Sequence, residues 1–314
     1  MNSPGVVSDK TIVDVRRAME DLGYQPSHVA RSLVTKKTNT IGIVMPDIKN
    51  TFFNSWFRAL EEYAGQSGYT TFLCNADEDP TKEMKFVRLL QAHRVDGVLI
   101  VPRSVEAVKY LVKNKTVTVL VDRMYHDVGT DVVSTDHYDG ARRITEYLIG
   151  MGHERIGVLT GPDFMFPSAE RYRGFCDAMK GSEIRIVPQF VKNCEFKEKR
   201  AYDAVDELLT GGSFPTAFFA FNSLTAIGAI KAINSHGLKI PDDISLVCYD
   251  EIPGNDIFNP KITHVRQPIV ELGHRATRLL IDRIENPNRD ETAKIFLKPE
   301  LIMGESCMKL RRNS

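Results

Sequence analysis

The chain has 314 residues, too many for one ordinary hydrophobic core and enough for about two or three domains. Hydrophobic residues make up 42% and charged residues 26%, and Lys plus Arg balances Asp plus Glu at 41 each, so no global basic excess marks a nucleic-acid partner. A small basic patch diluted by a large neutral body stays open. Nothing resembles an export signal or a membrane span, since the longest apolar runs, such as 217–221, are of strand length. The five cysteines (Cys74, Cys176, Cys194, Cys248, Cys307) are scattered, odd in number and form no C-x-x-C, which points to reduced thiols in the cytoplasm.

The first element expected is a helix. Ser8 is a plausible N-cap, and Ile12, Val15, Ala18, Met19 and Leu22 recur at helical spacing until Gly23. One amphipathic helix cannot form a core by itself. A second, brief helix is expected after Pro26, which suits a first turn, with Ser27 as a capping oxygen and His28, Ala30, Arg31 and Leu33 following. A polar, β-branched tail, 35–40, then leads to the first strand. So short a helix is marginal in water, which leaves a solvated linker or a helix ordered by a partner.

From residue 40 apolar strands alternate with amphipathic helices: strands at 40–45, 70–75, 97–101 and 118–121, helices at 52–67, 83–93 and 105–113. After Thr135 the alternation restarts, with helices at 138–151, 170–179, 198–209 and 223–236 and strands at 155–159, 217–220 and 245–249. Nearly continuous apolar strands between helices signal parallel sheets covered on both faces, and two such blocks suggest two doubly wound lobes.

In open α/β sheets ligands bind outside the carboxyl ends of the strands. After the first strand come Asn50, Phe52 and Phe53, one ring expected in the core and the other turned to a ligand. After the fourth comes Asp122-Arg123, either a surface ion pair or a set of oriented donors and acceptors. Arg171 opens a helix, Asn222 and Asp250 sit just past strands, and Gln267 follows. Carboxylates and carboxamides suit vicinal hydroxyls, arginines add planar forks and aromatic rings stack on C–H faces, a set matched to a small sugar. A nucleobase would also use the aromatics.

Catalytic and metal signals are weak. No histidine pair stands at metal-ligand spacing, Gly211-Gly212-Ser213 lacks the lysine of a phosphate loop, and no G-x-S-x-G is present. Asp136 and His137, in an extended segment, should face opposite ways. Neither an enzyme nor a metal or cofactor site is expected.

The segment GYQPSHVARSLVTKKTNTIG, 23–42, closely resembles the hinge of LacI-family bacterial transcription regulators, and the resemblance extends over essentially the whole chain. It implies that Leu33 is the wedge that enters the minor groove, with Ser27, His28, Ala30 and Arg31 as its DNA-binding companions, in a homodimer that pairs two hinges. It also implies the fold class: α/β, two doubly wound parallel-sheet lobes of the periplasmic-binding-protein type, after a remnant of an all-α headpiece and a hinge helix. The implied domains are a partial helix-turn-helix headpiece (third helix) at 1–24 and the hinge helix and linker at 25–40. Lobe one takes 41–137 with 267–295, and lobe two 138–266 with 296–314. Asn2-Ser3-Pro4 matches the end of the recognition helix, so the first two headpiece helices are absent and operator binding by this chain is expected to be weak or absent.

Within that resemblance, the strand-end residues are similar to those of bacterial ribose-binding proteins and ribose-responsive regulators. This implies a ribose site made of Asn50, Phe52, Phe53, Asp122, Arg123, Arg171, Phe196, Asn222, Asp250 and Gln267, with Phe196 placed by pattern alone. Asn222-Ser223 departs from the usual Asn-Asp. The expectation is a sugar-responsive repressor. The alternatives are a stand-alone sugar-binding protein of the transport type and a regulator of another sugar or a purine.

Overall fold

The computed structural model describes residues 8–22, 37–125, 127–257, 259–288 and 291–310. The hinge residues expected from the resemblance, Ser27, His28, Ala30, Arg31 and Leu33, lie outside the described residues. Helix α1 (Asp9–Asp21) starts at Ser8, whose side chain accepts from the Thr11 N–H, and Val13, Val15 and Leu22 are exposed.

Two six-stranded sheets carry the rest. The first is built from β1 (Thr40–Met45), β2 (Thr70–Asn75), β3 (Gly97–Ile100), β4 (Thr118–Val121), β5 (Asp131–Thr135) and β11 (Lys294–Leu297), in the order β11-β5-β4-β3-β1-β2, all parallel. The second holds β6 (Ile156–Thr160), β7 (Val191–Asn193), β8 (Ala217–Ala220), β9 (Ser245–Tyr249), β10 (Thr263–Arg266) and β12 (Glu300–Ile302), in the order β12-β10-β9-β8-β6-β7. Only β10 and β12 run antiparallel. Central strands such as β3, β4, β6 and β8 are buried along their whole length, as sheets covered on both faces require.

Helices α2 (Thr51–Gln66) and α9 (Ile269–Glu285) cover one face of the first sheet, packing Trp56, Leu60, Leu272 and Leu280 against Ile43, Leu99 and Val119. A Cβ at Gly273 would lie 2.9 Å from the Ala59 Cβ, so the two helices approach as closely as they do only because glycine stands there. The other face takes α3 (Pro80–Ala92) and α4 (Val105–Lys113) through Val87, Leu90, Val108 and Leu111. In the second lobe α5 (His137–Gly150) and α6 (Phe166–Gly181) cover one face, and α7 (Glu198–Thr210) and α8 (Ser223–Ser235) the other. Asn50, Asp79, Ser104, Asp136 and Asn222 each cap a helix with a side-chain oxygen, so most helices start just past a strand end.

Chain order and sheet membership cross three times: after β5, after β10 and after β11. Phe296 and Leu297 pair with Ser134 and Thr135 in the first sheet, so the expected change of lobe at 296 comes two residues too early. The strands β5, β7, β10, β11 and β12 escape the sequence reading because they are short, as few as three residues, and carry polar positions. Arg283 closes the first lobe by donating from Nε and Nη2 to the Asp131 carboxylate at 2.7 and 2.8 Å, both side chains being buried. Among the described residues no helix is long and apolar enough to cross a membrane.

Candidate functional site

The carboxyl ends of both sheets face one cleft, and within it lies a cavity of about 280 Å³. All ten strand-end residues singled out from the sequence, Asn50, Phe52, Phe53, Asp122, Arg123, Arg171, Phe196, Asn222, Asp250 and Gln267, border it. Its volume is just below the ~300–1,000 Å³ usual for small-molecule sites.

The first lobe contributes a wall of rings and charges. Asn50 caps α2, its Oδ1 accepting from the Phe52 N–H at 3.0 Å, which leaves its amide NH₂ as the group able to reach a ligand. Phe52 and Phe53 meet edge to face at 5.1 Å. The expected division of labour between them fails, because both rings belong to the core and both border the cavity. Asp122 and Arg123 are buried rather than on the surface, and they do not pair with each other. Asp122 adopts φ 61, turning its carboxylate to His137 Nε2 at 3.1 Å. Arg123 reaches the other way and donates to both Glu78 oxygens, at 3.0 and 2.6 Å. Burial pushes the Asp122 carboxyl up, but the His137 hydrogen bond and the Arg171 and Arg123 charges outweigh it and hold the group below its ordinary range.

The second lobe supplies a cation held on a ring. Arg171 was expected to open a helix; that helix starts earlier, at Phe166 with Pro167 in its first turn, so Arg171 projects inward from the second turn. Its guanidinium lies over Tyr249 at 3.7 Å from the ring centroid, donates to the Phe221 carbonyl and stands 3.9 Å from the Asp250 carboxylate. Asp250, at φ 82, accepts from Gln267 Nε2 at 2.5 Å. Burial raises the Asp250 carboxyl above its ordinary value against the pull of Arg171 and Gln267. Three buried polar atoms of the residues that border the cavity are left without a hydrogen-bond partner among the described residues: Arg103 Nε, Arg171 Nε and Gln267 Oε1.

Phe196 is placed by its surroundings. It adopts φ 57, Asn222 Nδ2 donates to its carbonyl at 3.4 Å, and its ring occupies space where a Cβ on Gly161 would stand 2.2 Å away. Asn222 is therefore also a structural clasp, its Oδ1 accepting from the Thr225 N–H at 2.9 Å in a reciprocal capping box.

His137 joins the lobes. Asp136 caps α5 and His137 is its first residue, so the two are not in an extended segment as expected. The His137 ring is buried, with Nε2 on Asp122 and Nδ1 3.3 Å from both the Tyr249 hydroxyl and Arg171 Nη2. An Nε2–H tautomer satisfies this arrangement, donating to Asp122 and accepting at Nδ1. Burial, then the Arg171 charge, lowers its pKa from the ordinary 6.5. Glu78 and Arg103, which border the cavity, and Tyr249 were not singled out from the sequence, and His137 was weighed only as half of an acid–base pair with Asp136. Glu78 and Arg103 follow the second and third strands, so applying the strand-end rule to every strand would have found them. Among the described residues no cluster of His, Cys, Asp and Glu could hold a metal ion.

The two-lobed fold is shared with known proteins. The family described as "Periplasmic binding proteins and sugar binding domain of LacI family" matches residues 38–303. The ribose operon repressor of Halalkalibacterium halodurans is 36% identical over 306 residues, covering 98% of this chain and 91% of its own. The transcriptional repressor PurR of Haemophilus influenzae (strain PittEE) is 32% identical over 310 residues, covering 98% and 92%. A LacI-family regulator from Enterococcus faecium, solved with bound ribose, superposes with a TM-score of 0.78 at 29% identity over 87% of this chain and all of its own. These relatives are regulators of transcription and not enzymes, and the two lobes here are of their kind: the chain belongs to the LacI family of transcriptional repressors.

Proposed function

We propose that this repressor is controlled by a small neutral sugar, with ribose the first choice, held between the two lobes. The observation that carries the reading is the convergence of all ten strand-end residues on one cavity of about 280 Å³. Phe52, Phe53 and Phe196 offer faces and edges to sugar C–H groups, while Asp122, Asp250 and Gln267 offer acceptors to hydroxyls and Arg171 Nε a donor. The three unpartnered buried atoms, Arg103 Nε, Arg171 Nε and Gln267 Oε1, would gain hydrogen bonds that this site otherwise lacks. The name of the ribose operon repressor and the ribose in its structural relative support the same choice. A purine is the second reading, favoured by the resemblance to PurR and by rings that would equally stack on a base.

The mechanism is linkage. Sugar bridges the lobes, the closed arrangement moves the first-lobe faces of a homodimer, and the hinge helices with Leu33 lose their paired geometry on operator DNA. Ligand shifts this equilibrium only by its differential affinity for the two states. Calorimetric titration of the chain with ribose, other sugars and purines tests the reading. Saturable binding of ribose above the rest is the expected result; purine binding with no sugar binding would replace the first reading by the second.

A further inference from the structure

Glu78 is held in the cavity wall by an uncommon backbone. Asp77 and Glu78 are consecutive non-glycine residues in the left-handed region, at φ 53 and 55. The turn is braced by the Glu78 N–H on the Pro46 carbonyl at 2.7 Å, and by Asp77, which accepts from Asn75 Nδ2 and Lys82 Nζ at 2.6 Å each. This places one carboxylate between two guanidiniums. Glu78 takes a bidentate pair from Arg123 and stands 3.4 Å from Arg103 Nε. Arg103 in turn lies over the ring of Phe164, a second-lobe residue, at 4.7 Å from its centroid.

The consequence is that every cation bordering the cavity lies within 3.9 Å of a carboxylate. Arg123 and Arg103 face Glu78, Arg171 faces Asp250 at 3.9 Å, and Lys197 faces Glu195 at 3.2 Å. Any anion entering would meet carboxylates already engaged with every lining cation, and like-charge contact in a partly dry site is strongly unfavourable. We infer that Glu78 sets effector specificity by charge: it opposes Arg123 and Arg103 in a lining whose five carboxylates (Asp47, Glu78, Asp122, Glu195, Asp250) outnumber its four cations, so that the site accepts an uncharged effector and rejects its phosphorylated counterpart. This deepens the sugar reading and rests on it for the identity of the ligand, but the charge rule applies equally to a nucleoside and its nucleotide.

The test compares wild type with Glu78→Gln and Glu78→Asp. Calorimetry uses matched pairs, ribose with ribose 5-phosphate and adenosine with adenosine 5′-monophosphate; thermal unfolding with and without millimolar inorganic phosphate supplies a readout that needs no effector. Wild type should discriminate against the phosphorylated member by about 100-fold or more. Glu78→Gln should narrow that gap by at least about tenfold and acquire a phosphate-dependent rise in Tm, while Glu78→Asp, which keeps the charge, should behave like wild type. Equal wild-type affinity for both members of a pair overturns the inference, as does a Glu78→Gln protein whose gap and Tm do not respond. If adenosine binds and ribose does not, the sugar reading falls and the charge rule is judged on the adenosine pair. If neither pair binds, the phosphate response decides it.

Discussion

On the first-lobe wall of the cavity most strong donors are already engaged: Arg123 gives both ends of its fork to Glu78 and Asp122 accepts from His137, while Arg103 Nε, 3.4 Å from Glu78, makes no hydrogen bond. On the second-lobe wall Arg171 keeps Nε, and Gln267, at the crossing just after β10, keeps Oε1, both buried and without a protein partner. The first wall is nearly finished before a ligand arrives, and the second is finished by it. A preformed wall costs little reorganisation on binding, whereas unpaired buried atoms make the site demanding about what fills it.

The largest expected effect breaks the second wall. Arg171→Ala removes a buried guanidinium that holds the Phe221 carbonyl and faces Asp250, and it should cost about 2–5 kcal/mol of effector binding, roughly 30-fold to several-thousand-fold in Kd. Unchanged affinity by calorimetry would show that the wall is not part of the site. A smaller change tests whether the walls act together. Phe164→Ala takes away the second-lobe ring beneath Arg103, a partly exposed cation–π contact, and should weaken effector about two- to five-fold, or about 0.5–1 kcal/mol. Stopped-flow release should quicken by the same factor, since this contact spans the cleft; a slower on-rate with unchanged release would argue against a closing role.

The smallest effect concerns the joint between the walls. The folded-state pKa of His137 lies below its ordinary 6.5, so as pH falls the unfolded chain takes up the proton first. Stability from this residue is complete above that value and is lost as pH falls through the folded-state pKa. The urea midpoint of wild type should drop more between about pH 7.5 and about pH 5.5 than that of His137→Gln. Parallel curves would remove His137 from the acid response.

Much of this site was legible because the strand-end rule is local: a run such as 118–121 announces a strand, and Asp122-Arg123 must then stand at its carboxyl end. Who pairs with whom was not legible. Sequence neighbours invited the reading of Asp122 and Arg123 as a pair, yet a left-handed φ at Asp122 swings them apart toward His137 and Glu78, which only folding brings near. Asn50 and Asn222 looked like plain ligand groups, whereas each also caps a helix, a role set by where the helix begins. Arg171 shows the same limit. Its inward direction depends on a helix start at Phe166 that the periodicity placed four residues later.

The late position of α9 and β11 in the chain has a consequence for biogenesis. Leu272, Ala276 and Leu280 belong to the core under the first sheet, and β11 borders β5 at its edge. A ribosome that has released residues 40–135 has therefore delivered six-stranded architecture with one strand and one covering helix still to be translated. The apolar face that α9 covers must wait, exposed or chaperoned, through synthesis of most of the second lobe. Vectorial, domain-by-domain folding, which spares many two-domain proteins from aggregation, is closed to this lobe by its topology.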